Sequence, residues 1–240
     1  QLTVTDTTGT STTATLQVPV ENTAPRVEIT SFANGDLYSQ STPTQLQLAG
    51  TAIDAEHSPT QLSWAWQVTL HHVTHVHPEP PILQPTATTT LSPSGGGAEF
   101  FAYSIDLTVT DACGLATTAR HWLFPDTTGA STTVLLAQPA SGDRVAVGSP
   151  ILFSAVTTGT VQRVEYRVDG ELIGVATAAP WTCTWTPTVT GPLVAMALAV
   201  GTDGTASNSR GIPFTVEAPV TTKARLHNST DDVVEAFGMA

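Results

Sequence analysis

The chain carries one strand-turn-strand phrase twice, and the spacing of the two copies limits what it can fold into. Leu2-Thr3-Val4-Thr5-Asp6-Thr7-Thr8-Gly9 returns 105 residues later as Leu107-Thr108-Val109-Thr110-Asp111-Ala112-Cys113-Gly114. Each copy alternates apolar with β-branched residues, turns at the segment ending in glycine, and goes back as a second alternating strand. A period near 100 residues is that of one β-sandwich domain. Because an isolated hairpin is marginal in water, residues 1–20 read as the closing strands of a preceding domain.

A second phrase repeats in the same way. Ala33-Asn34-Gly35-Asp36 follows the strand around Val27-Glu28-Ile29, and Ala140-Ser141-Gly142-Asp143 follows Val134-Leu135-Leu136. The sequence therefore divides into residues 1–20, a full sandwich over 21–125, a second over 131–217, and residues 218–240 as a tail or the start of a further module. Glu21-Asn22-Thr23-Ala24-Pro25 is a polar linker ending in proline, the composition of a module boundary. In the first full module, Gln61–Val73 reads as a strand with Trp64, Trp66, Val68 and Leu70 on the core side. Residues 78–98, rich in proline and glycine, read as a long loop. In the second module, strands are predicted over 134–137, 150–156, 161–168, 171–176, 181–186, 194–200 and 213–216, with Asp169-Gly170 as a two-residue hairpin turn. The fold class is all-β: tandem Ig-like or PKD-like antiparallel sandwiches.

Composition narrows the partners. Eight Lys and Arg against twenty Asp and Glu leave a net charge of −12, with no basic stripe to neutralise phosphates, so nucleic acid is excluded. No apolar run approaches the ~18 residues of a membrane span, and no signal peptide opens the sequence. Two cysteines set up no disulfide framework. Cys183 alternates with Trp181 and Trp185 and is expected in a core, and Cys113 in a turn. There is no G-x-S-x-G elbow, and Gly95-Gly96-Gly97 lacks the lysine of a phosphate loop. Neither a catalytic residue nor an organic cofactor is expected.

On these residues the chain resembles known families. LTVTDTTG and LTVTDACG are similar to the closing strands of PKD-type domains, and ASGDRVAVGSPILFSAVTTGTVQRVEYRVDGELIG with APWTCTWT resembles bacterial Ig-like modules found in tandem in secreted and surface proteins. LSWAWQVTLHHVTHVHP followed by YSIDLTVTDACGL is similar to a module that follows a PKD domain in secreted glucose/sorbosone-dehydrogenase-like proteins. The resemblance implies a secreted or cell-surface location and a role as spacer, adhesion or substrate-presenting region. It leaves open two alternatives, a carbohydrate-binding appendage of a sugar dehydrogenase-like enzyme and a structural subunit that self-assembles through the 1–20 hairpin. No propeller lies in these residues, so no sugar-oxidising residue carries over. The partners implied are neighbouring domains and, in the appendage reading, polysaccharide.

Three sets of side chains are candidates for binding. His71, His75 and His77 share a parity, so they lie on one face while the strand continues, and they would offer imidazoles to Zn²⁺ or Cu²⁺, His71 joining the other two if the chain bends near Val73-Thr74; a hydrogen-bonded clamp of the following loop is the alternative. Asp54, Glu56, Asp111, Glu21 and Asn22 come from the loops and linker that gather at one pole of an Ig-like domain, and their hard oxygens suit Ca²⁺. An acidic solvated pole is the alternative. Trp122 and Tyr103 could stack on sugar rings, or pack in the core.

Overall fold

The computed structural model describes residues 2–15, 21–219, 224–227 and 233–236. Strands β1 (Leu2–Thr5) and β2 (Ser11–Ala14) form a hairpin in the register Leu2↔Ala14 to Thr5↔Ser11. The first module then follows: β3 (Arg26–Ile29), β4 (Asp36–Ser39), β5 (Thr44–Ile53), a 3-10 turn over Pro59–Gln61, β6 (Ser63–His72), β7 (His75–Pro78), β8 (Thr86–Leu91), β9 (Phe101–Thr110) and β10 (Ala116–Asp126). Two sheets, β3-β5-β8 and β4-β10-β9-β6-β7, enclose a core around Trp66, which has no exposed surface, with Leu48, Ile105, Leu107 and Val109. A buried tryptophan on β6 is where the alternation of Trp64 and Trp66 places it.

The second module holds β11 (Thr133–Gln138), β12 (Arg144–Ala146), β13 (Ile151–Thr158), β14 (Val161–Val168), β15 (Glu171–Ala176), β16 (Thr182–Trp185), β17 (Gly191–Gly201), β18 (Ala206–Asn208) and β19 (Ile212–Glu217). Its sheets are β11-β13-β16 and β12-β19-β17-β14-β15, with β18 added on β17. The plan matches the first module down to one unusual pairing: β4 runs parallel to β10, and β12 parallel to β19. Past the second module, β20 (Ala224–His227) and β21 (Val233–Ala236) pair antiparallel. Asn228-Ser229-Thr230, which has the Asn-X-Ser/Thr pattern of a glycosylation acceptor, lies outside the described residues.

The 105-residue repeat is visible atom by atom. Leu107↔Ala119 and Thr108↔Thr118 reproduce Leu2↔Ala14 and Thr3↔Thr13. Asp6 Oδ1 accepts the backbone N–H of Thr8 and Thr10, and Asp111 Oδ1 those of Cys113 and Leu115. These are Asx turns, in which a carboxylate holds the two N–H groups a tight turn leaves free. The copies differ in their surroundings. Leu107 and Val109 have no exposure, whereas Leu2 and Val4 are 66% and 61% exposed.

The 78–98 segment is more ordered than a proline-rich loop. Thr86–Leu91 is a strand paired to β5, and Ile82 bridges to Trp66. Its threonines alternate between solvent and neighbours as β-branched edge residues do.

The two modules pack against each other through their larger sheets. Ala195, Ala197 and Ala199 of β17 point into the second module's own core, while Val194, Met196, Leu198 and Val200 on the opposite face meet Phe100, Ala102, Trp122 and Phe124 of the first. Arg167 lies over the Phe100 ring at 4.1 Å from its centroid, and the Asp169-Gly170 turn abuts Trp122. At the rim, Gly211 N–H donates to the Gly35 carbonyl at 3.0 Å, and Arg210 pairs with Asp36. A β-carbon on Gly35 would stand 2.5 Å from the Gly211 oxygen, so the close crossing of these two backbones requires glycine at both.

Candidate functional site

The structure brings Asn22, Asp54, Glu56 and Asp111 together at the pole of the first module, where the linker enters. Asp54 closes the loop after β5: its Oδ1 accepts the backbone N–H of Glu56 at 3.0 Å and of His57 at 2.7 Å. The same oxygen lies 3.0 Å from His57 Nδ1. Asp111 Oδ2 accepts from Asn22 Nδ2 at 2.7 Å, which ties the linker to the β9–β10 turn. Thr23 binds Glu56 Oε2 through its N–H and hydroxyl, at 3.2 and 2.9 Å. Glu21, at φ 74°, remains exposed.

His57 joins this set although sequence reasoning missed it. Its Nδ1 also stands 3.9 Å from Asp111 Oδ2, and its Nε2 faces Cys113 Sγ at 3.6 Å. The signal was its position three residues after Asp54, which puts an Nδ1–H donor back on the carboxylate that caps its own turn. Burial pushes the Asp111 carboxyl up. The hydrogen bonds from Asn22, Leu115 and Cys113, with His57 beside it, outweigh that and hold it below the usual carboxylate value. The side chains of Asp54 and Asp111 have no exposed surface. Among the described residues the one basic side chain beside either carboxylate is His57.

Two oxygens at this pole are buried without a hydrogen-bond partner among the described residues: Asp54 Oδ2 and Asn22 Oδ1. Leaving a carboxylate oxygen dry and unpaired is costly. Both are hard donors of the kind Ca²⁺ takes. Three groups here, Asp54, His57 and Asp111, each offer a ligand atom within 4.8 Å of the others.

The histidine string is arranged differently from its sequence parity. β6 does not continue through His75. It turns at Val73-Thr74, with Val73 at φ 50°, and β7 returns beside it in the register His72↔His75 and Leu70↔His77. Opposite residues of an antiparallel pair share a face, so the fold-back puts His75 and His77 with His72. His71 is on the other face: its Nε2 is 2.9 Å from Ser104 Oγ and its ring lies against Trp122. The expected set His71, His75, His77 is thereby corrected to His72, His75, His77, whose ligand atoms lie within 4.8 Å of one another.

The sugar-stacking candidates are enclosed. Tyr103 is 4% exposed and donates its hydroxyl to the Ser92 carbonyl. Trp122 is 2% exposed, between the modules. Both belong to apolar contacts, so neither ring is free for a carbohydrate.

Comparison with known proteins bears on the second module. Residues 133–209 match the family model described as Bacterial Ig domain. No curated protein matches the chain. Among solved structures, the chain is similar to the fibronectin(III)-like modules of Clostridium thermocellum CbhA, at 31% identity over 36% of this chain and 98% of that one, with a TM-score of 0.35. It is similar to the N-terminal Ig1-2 module of the Drosophila receptor protein tyrosine phosphatase DLAR, at 11% identity over 82% and 100% of the two chains, TM-score 0.32. It is also similar to Bacteroides ovatus SGBP-B, solved with a mixed-linkage heptasaccharide, at 13% identity over 81% of this chain and 48% of that one, TM-score 0.25. At these scores no ligand or partner passes from those proteins to this one. The strand order and buried cores place both modules in the class of Ig-like β-sandwiches, and the segment 133–209 is similar to bacterial Ig domains.

Proposed function

We propose that this chain is a rigid, non-catalytic spacer within a multidomain protein of the cell exterior. The observation that carries the reading is the packing of β17 on both faces, which joins two sandwiches through an apolar layer instead of leaving them on a flexible linker. A spacer needs fixed reach more than a pocket, and a buried apolar interface restrains inter-domain motion. The exposed Leu2 and Val4 support placement in a longer string of modules, because their counterparts Leu107 and Val109 are core residues. Small-angle scattering from the chain should fit one fixed arrangement of the two modules. Data that require an ensemble of inter-module angles would oppose the reading.

A second element of the proposal is a calcium-held joint at the linker, favoured by the unpartnered Asp54 Oδ2 and Asn22 Oδ1. A cation there would neutralise two buried carboxylates and fix Asn22, hence the angle at which the preceding module enters. Calcium should raise the melting temperature of the wild type and leave Asp54→Asn unmoved. A wild type indifferent to calcium and to chelator would exclude the joint. The carbohydrate alternative has no support from Trp122 or Tyr103, which are enclosed.

A further inference from the structure

The β6–β7 hairpin carries a feature that the spacer reading does not use. In the second module the equivalent hairpin, β14–β15, turns through Asp169-Gly170, an ordinary tight turn. In the first it turns through Val73-Thr74 between imidazoles on both strands. His72 and His75 face each other across the ladder, and His77 follows His75 at i+2 on the same face. The ring centroids of His72 and His75 are 4.8 Å apart, as are those of His75 and His77, with the rings edge to face.

One of the three is held in place. His72 stacks on Phe101 at a centroid distance of 4.4 Å and an interplanar angle of 19°, and its Nε2 meets Glu99 Oε2 at 3.0 Å. A carboxylate on one ring nitrogen fixes the orientation of the other, as the outer partners of metal-bound histidines do. His75 and His77 are exposed, and among the described residues their imidazoles make no hydrogen bond. The hydrogen-bonded clamp considered from the sequence therefore has no partners at these two positions.

We infer that His72, His75 and His77 form a three-imidazole site for a divalent transition-metal ion, Zn²⁺ or Cu²⁺, with Glu99 as positioning residue. Metal–nitrogen bonds of about 2.0–2.1 Å put tetrahedral ligand atoms roughly 3.4 Å apart, and the three nitrogens already lie within 4.8 Å. Two exposed rings on one strand close the remaining distance by side-chain rotation, with no change in the ladder. Three neutral nitrogen donors suit zinc and copper and are poor for calcium. The site is thus chemically separate from the oxygen-lined pole, and the spacer reading stands or falls independently of it. Three ligands leave a coordination position open to solvent, so an exogenous donor can complete the sphere.

The test is calorimetric titration of the untagged chain with Zn²⁺ and, separately, with Cu²⁺, both in saturating calcium so that the pole is occupied. One equivalent should bind, copper more tightly than zinc. The double variant His75→Ala/His77→Ala should weaken binding by more than about 100-fold, and Glu99→Gln by about 10- to 100-fold. His71→Ala should bind as the wild type does, because His71 is turned to Ser104. Each variant is checked by its circular dichroism spectrum, and Cu²⁺ electron paramagnetic resonance should show coupling to ring nitrogens that the double variant loses. Binding that survives in His75→Ala/His77→Ala, that is lost in His71→Ala, or that is absent from the wild type would overturn the assignment.

Discussion

The contact between Gly170 of the second module and Trp122 of the first makes the inter-module interface testable with two small substitutions. A β-carbon at Gly170 would stand 2.8 Å from Trp122 Cη2 and 3.1 Å from Cζ3. Gly170 also sits at φ 79°, a left-handed conformation in which a β-carbon costs roughly 1–2 kcal/mol by itself. Forcing that carbon into a packed aromatic adds about 1–3 kcal/mol. Gly170→Ala should therefore destabilise the chain by about 2–5 kcal/mol in total. Trp122→Phe keeps an aromatic ring but deletes the atoms in question, at a cost in the common range of about 0.5–3 kcal/mol. With both changes present the clash is gone and only the backbone strain of the Gly170→Ala substitution remains. The double variant should thus be more stable than the sum of the singles implies, by about 1–3 kcal/mol. Equilibrium urea denaturation of the four proteins gives this coupling directly. Additivity within about 0.5 kcal/mol would refute the reasoning, because it would mean that the turn and the indole do not touch.

Three other outcomes follow from the same geometry. Gly211→Ala should lower the urea midpoint, since its β-carbon would come within 2.5 Å of Gly35 Cα and 2.8 Å of Phe124 and Val194; an unchanged midpoint would place the rim contact elsewhere. Calcium at 100 times its dissociation constant should stabilise by about 2.7 kcal/mol, which for a cooperative unit of this size is a melting-temperature rise of about 5–11 °C, absent in Asp54→Asn. Burial holds the imidazoles of His71 and His121 below their ordinary value of 6.5, with Arg120 adding to the effect at His71 and the Phe32 carbonyl opposing it at His121. The unfolded chain then takes up protons first as pH falls below 6.5, so chelated protein should lose stability between pH 7 and pH 5. His71→Gln should flatten part of that slope in urea midpoints measured against pH. The lowered carboxyls of Asp6, Asp111, Asp126 and Asp203 act in a separate window, below about pH 3.8, where their contribution is lost with further acid.

How much could be read from the sequence depended on whether a feature was local or a matter of register. The module length, the Asp-Gly turn and the core face of β6 were legible because alternation and turn chemistry are short-range. The gathering of Asn22, Asp54 and Asp111 follows from the connectivity of the sandwich, which the repeat specified. The ligand set of the histidine string was misread because parity is preserved only while a strand runs on. A two-residue turn at Val73-Thr74, with a β-branched residue at positive φ in place of the usual glycine, inverts it. The Thr86–Leu91 strand was hidden by prolines on either side. The inter-module interface did leave a signal in the sequence. From Pro192 to Val200 no polar residue occurs, and an antiparallel strand with one wet face would show one every second position. Trp122-Leu123-Phe124 is the matching run on the first module.

The central claim is that residues 21–217 move as one body. Backbone ¹⁵N relaxation of the whole chain measures this directly, because amides in both modules report the tumbling of whatever they are attached to. One diffusion tensor should describe the amides of β6, β9 and β10 together with those of β14, β17 and β19. Two tensors with distinct correlation times, each near that of an isolated module, would contradict the account.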